Sequence, residues 1–203
     1  MKADSIKISD YETTFSSHIN RHIKLFENYT NLSDEQKNAA KDWGKRFNLG
    51  NGRSRFKYAQ YITEKALNQI QGKTESEIKR NKFVMEHIIP KTKYIIEPII
   101  KAINKNENDF NQNDFISNII NQRLRICFTT KEEAKCLKNK ISNELKRKFE
   151  SFENVSEKDL FERYFSACKN DCVLKNQKIY KIKNITQNYG RFHIKTEEMF
   201  ILE

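Results

Sequence analysis

The chain has 203 residues, of which 37% are apolar, with 14 Phe, 8 Tyr, five Gly and two Pro, and it carries a formal net charge of +11. That length holds one full domain, the aromatic content excludes disorder throughout, and the scarcity of Gly and Pro argues against a turn-rich all-β fold. A basic surplus of this size is expected to meet a polyanion, nucleic acid being the commonest. No run of 18 apolar residues is present, so no membrane partner is expected. The N-terminal stretch lacks an apolar signal region, which predicts a cytoplasmic protein. Cys127, Cys136, Cys168 and Cys172 form no C-x-x-C pair and no zinc-like spacing with the histidines, so reduced thiols are expected.

Taken in chain order, Phe15, Ile19, Ile23 and Phe26 recur at helical spacing over residues 11–29, with His18 and His22 four apart beside them. That histidine pair lacks the glutamate of a zinc-protease helix and reads as part of a partly buried face. Ser33 and Gln36 form a capping box that starts a second helix. The glycine-interrupted stretch that follows carries six positive charges between residues 41 and 57, among them Arg46, Arg53, Arg55 and Lys57, and predicts a basic loop. Phe56, Ala59, Ile62, Ala66 and Ile70 predict a third helix that Gly72 ends.

Residues 83–89 read as a short buried strand carrying Glu86 and His87 side by side. A helix interrupted by Pro98 follows, then a polar loop and a short helix capped by Asp114. Residues 124–128 alternate and predict a strand. Thr130 and Glu133 form a capping box, and Ala134, Leu137, Ile141, Leu145 and Phe149 predict one long helix over 130–150. A further helix over 157–168 precedes two strands that meet near Gly190. The expected fold is therefore α+β and predominantly helical. It is one domain over 1–203, with a helical region over 1–80, a core over 83–150 and a C-terminal helix and strands over 155–203.

The strand ending in "EHIIP", followed after an insertion by the strand and helix of "RICFTTKEEAKCL", resembles the HNH, or ββα-metal, endonuclease superfamily over residues 83 to about 145. The resemblance implies a ββα-metal core with a helical insertion and a metal-dependent DNA endonuclease, in the manner of a type II restriction enzyme. It implies His87 as general base and Glu86 as a ligand of a divalent ion, Mg²⁺ by preference. The chemistry is coherent: an imidazole titrates near neutral pH and accepts a proton from water, while a hard cation takes oxygen ligands and stabilises charge on phosphate. The superfamily places a further ligand on the helix. This helix has no His, and Glu133 and Asn139 are the candidates. Glu133 is equally accounted for as a capping residue.

The basic and aromatic stretches around residues 53–58 and 178–184 suggest a nucleic-acid surface. The expected phosphate or base contacts are Arg46, Arg53, Arg55, Lys57, Lys91, Lys93, Lys181, Lys183 and Arg191; Tyr58, Tyr180 and Tyr189 suit base stacking but are expected to pack in the core. Double-stranded DNA is the expected partner, and a palindromic target implies a homodimer. The alternative is a basic protein that binds DNA or RNA without cleaving it.

Overall fold

The structure, a computed structural model, describes residues 59–78, 82–98, 101, 118–119, 122–138, 141–151, 153–168 and 172–203. They fall into two units: described residues between 59 and 89 and between 125 and 203 form the first, and those between 90 and 124 the second. The stretches expected to form the first two helices and the basic loop, with His18 and His22, lie outside the described residues.

The first unit is built on a five-stranded mixed sheet. Its strands are β1 (Tyr61–Thr63), β2 (Phe83–His87), β3 (Ile126–Thr130), β4 (Lys178–Asn188) and β5 (Arg191–Ile201), in the order β2-β3-β1-β4-β5. β1 and β3 run parallel, and every other neighbouring pair is antiparallel. The described helices of this unit are α1 (Glu64–Ile70), α2 (Lys131–Cys136), α3 (Asn143–Glu150), α4 (Glu157–Leu160) and α5 (Glu162–Cys168).

The predominantly helical expectation is corrected by this sheet. Ala59, Ile62, Ala66 and Ile70 are all fully buried, as a helical stripe would be, but Ile62 lies in β1. All three residues of β1 are buried, and a short strand buried on both faces has no alternation to distinguish it from a helix segment. The helix starts at Glu64 because Thr63 caps it, its hydroxyl accepting from the Ala66 amide at 3.4 Å.

The single helix expected over 130–150 is also divided. Leu137 turns extended, with ψ 124°, and Ser142 caps α3 by accepting from the Leu145 amide at 3.0 Å. A serine offers helix ends a hydrogen bond that it cannot offer helix interiors, so the apolar spacing continues while the helix does not. Glu162 secures the break, its carboxylate accepting from the Ser142 amide at 2.5 Å and hydroxyl at 2.6 Å. Ser156 and Asp159 form a capping box that starts α4.

The C-terminal strands are eleven residues each. Their two-residue turn has positive φ at both Tyr189 (49°) and Gly190 (75°), the conformation that suits the twist of a tight hairpin. The core gathers Tyr61, Ile62, Phe149, Phe161, Tyr164 and Phe192, all essentially without exposure. Phe161 joins its parts, with ring contacts to Tyr61 at 5.0 Å, Tyr164 at 5.1 Å and Phe200 at 4.9 Å.

In the second unit, residues Thr92–Ile96 form a π-helical segment, followed by helical residues that include Pro98. Buried Arg123 donates to the Tyr94 carbonyl at 3.0 Å.

Candidate functional site

Glu86 and His87 end β2, opposite Cys127 and Ile126 of β3. α2 begins at the other end of β3, beyond Thr130, which faces Phe83. Four residue steps along the strand lead from Phe83 to His87, roughly 13 Å. The helix start is thus remote from the histidine, and what meets the histidine corner is the segment just after the helix.

Arg163 of α5 makes that meeting. Its side chain is 1% exposed and forks across three chain segments. Nε donates to the Lys138 carbonyl at 2.6 Å, and one terminal nitrogen donates to the carbonyls of His87 at 2.8 Å and Ile88 at 3.3 Å. The other donates to Glu86 Oε1 at 3.2 Å. A planar guanidinium suits this task because its donors are fixed in direction. Arg163 was not among the expected site residues. Its one sequence signal is position: Ala167, four residues on, is buried on the same face of α5.

The Glu86 carboxyl is raised above the ordinary carboxylate range by burial, opposed by Arg163. Its side chain keeps 24% exposure, and Oε2 makes no hydrogen bond among the described residues. One carboxylate oxygen is therefore open to another partner. The His87 ring is half-buried, with Nε2 shielded from solvent.

Glu133 is placed differently. It is fully buried, and Oε2 accepts from the Thr130 amide at 2.8 Å, the Thr130 hydroxyl at 2.9 Å and the Thr63 hydroxyl at 2.9 Å. It thereby ties the caps of α1 and α2 at the ends of the two parallel strands. Nothing in sequence spacing linked Thr63 to Glu133, 70 residues apart. Asn139 lies outside the described residues. Among the described residues, no group of three or more His, Cys, Asp or Glu side chains is placed to hold a metal ion.

No family model, curated protein or solved structure matches the chain. Among the described residues, no helix is long and apolar enough to cross a membrane.

The expected nucleic-acid contacts divide by location. Arg46, Arg53, Arg55 and Lys57 lie outside the described residues. Lys91 and Lys93 belong to the second unit, where burial holds the Lys91 ammonium below its ordinary range and Lys93 is exposed beside the Tyr94 ring. Lys181, Lys183 and Arg191 lie on the C-terminal hairpin, and each meets a carboxylate. Lys181 reaches Glu157 at 3.0 Å, Lys183 pairs with Glu197, and Arg191 reaches Glu77 at 3.5 Å. Glu157 also accepts from the Tyr61 hydroxyl at 2.8 Å. Burial opposes its ionisation, but Lys181 and Tyr61 together hold its carboxyl below the usual range.

All four cysteines are free thiols. Cys172 lies near both Cys136 and Cys168, a grouping that the spacing of 136 from 168 and 172 hid. Burial pushes the Cys168 thiol up to about 11, which leaves it protonated and unreactive at neutral pH.

Proposed function

We propose that this protein is a metal-dependent DNA endonuclease of HNH type, with His87 as general base and Glu86 as the carboxylate ligand. The observation that carries the proposal is the corner closed by Arg163. Two antiparallel strands and a helix follow one another in the ββα order, and the strand end bearing Glu86 and His87 meets the segment after α2 at one guanidinium.

A Mg²⁺ ion at a phosphate needs only one or two protein carboxylates, because water and substrate oxygens complete its shell. Glu86 fits that requirement through its open Oε2, whereas Glu133 is fully buried, with Oε2 held by three hydrogen bonds and Oε1 shielded from solvent. The bound ion would stabilise charge on the phosphate and the leaving oxygen. His87 takes the proton from the attacking water. Arg163 touches no substrate. It is a positioning residue that fixes the end of β2, where Glu86 and His87, neighbours in regular strand pairing, project from opposite faces. The partner is double-stranded DNA, with a homodimer for a palindromic target, in the cytoplasm.

A second reading, a basic protein that binds nucleic acid without cutting it, is favoured by the shielded Nε2 of His87. Nicking of supercoiled plasmid with Mg²⁺ or Mn²⁺ separates the two. His87→Ala is expected to abolish nicking and leave DNA affinity within a few-fold. Wild-type protein that binds but nicks nothing supports the binder, and nicking undiminished by His87→Ala removes that residue from the mechanism.

A further inference from the structure

We propose that the tip of the β4–β5 hairpin is a platform for an unpaired nucleobase, which stacks on Tyr189 while its flanking phosphates lie against the basic face of β5. This rests on the nucleic-acid partner proposed above and adds which part of the molecule meets it and in what form.

Tyr189 is 96% exposed and has φ 49°. Asn, Asp and Gly are the ordinary occupants of the first turn position, because a bulky residue is strained there. The ring gains no burial in return, so folding alone does not account for a tyrosine at this place. An exposed aromatic ring offers every base a face on which to stack.

The strands beside it supply the rest. Arg191, His193 and Lys195 are exposed, while Phe192 and Ile194 between them are buried, so the three basic side chains share one face. Their cross-strand partners on that face are Asn188, Thr186 and Asn184. These three rows contain six neutral or basic hydrogen-bond donors and no carboxylate. Carboxylates on β5 begin only at Glu197. Among the described residues, the one acid paired with the patch is Glu77, on Arg191.

The tip is also braced. Gly72 donates its amide to the Phe192 carbonyl at 2.8 Å, Phe192 donates back to the Lys73 carbonyl at 2.9 Å, and the Ile194 amide donates to Gln71 Oε1 at 3.0 Å. Arg191 donates to the Gly72 carbonyl at 2.8 Å. The strap covers the outer edge of β5 and adds exposed Lys73 to the same end of the hairpin. A stiff arm presents its ring with little ordering cost on binding.

The test is fluorescence anisotropy of the full chain with a labelled single-stranded oligothymidine of about 12 nucleotides and with a duplex of the same length. Tyr189→Asn suits the turn better than tyrosine, so the fold is kept, which a thermal melt checks. It is expected to weaken single-strand binding about tenfold and leave duplex binding little changed, while Tyr189→Trp binds as tightly as wild type. Lys195→Gln should lower the salt dependence of binding by about one ion. Single-strand binding by Tyr189→Asn equal to that of wild type overturns the platform alone. Failure of the wild type to bind either probe overturns the platform together with the nucleic-acid reading.

Discussion

Replacing Arg163 by Met removes a donor fork from a site where water cannot take its place. The side chain is 1% exposed, and the carbonyls of Lys138 and His87 at 2.6 and 2.8 Å accept from it directly, with Ile88 at 3.3 Å. A buried acceptor left unpaired costs about 1 kcal/mol or more. The Glu86 contact is longer, and that carboxylate keeps partial access to water, so it adds less than a fully buried pair would. Together the losses come to about 4 kcal/mol, a large part of the roughly 5–15 kcal/mol that holds a domain together. With a urea slope of about 2 kcal/mol per molar, the unfolding midpoint should fall by about 2 M. Arg163→Lys keeps the charge but not the fork, and should fall between the two. A double-mutant cycle with Glu86→Gln isolates the ion pair and should give a coupling of about 1 kcal/mol. A midpoint for Arg163→Met within about 0.3 M of wild type would refute the idea that one guanidinium holds these segments together.

Two other substitutions probe the remaining carboxylates. Glu133→Ala orphans the Thr63 and Thr130 hydroxyls and the Thr130 amide, and should cost about 3 kcal/mol in chemical denaturation while leaving the Mg²⁺ concentration dependence of nicking unchanged. A shift in that dependence would return Glu133 to the ligand set. Glu157 titrates below its unfolded value of 4.5 because of Lys181 and Tyr61, so its contribution is fully present above pH 4.5 and is lost as pH falls below it. Glu157→Gln should therefore flatten the fall of melting temperature between about pH 5 and 3, and an unchanged profile counts against the pairing.

Local chemistry made several features legible without coordinates. Thr130 and Glu133 are three apart and form the capping box that starts α2. The alternation after residue 178 gives two strands, and Gly190 marks their turn because its φ of 75° suits glycine. Glu86 and His87 lie in the strand that the apolar run suggested, although it ends at His87 rather than at residue 89 and is half-buried. Each of these depends on residues a few positions apart.

Other features depended on distance along the chain. Ile62 belongs to a strand because β3 and β4 flank it on both sides, a fact its own neighbours do not encode. Glu133 points inward because Thr63 waits there, from 70 residues earlier. Arg163 reaches Glu86 across 77 residues, and Lys181 pairs with Glu157. The sequence by itself determined the caps, the turn and the charge. Only the tertiary structure decided which of those charges are already neutralised and which buried polar groups meet, because packing brings together groups whose spacing along the chain follows no local period.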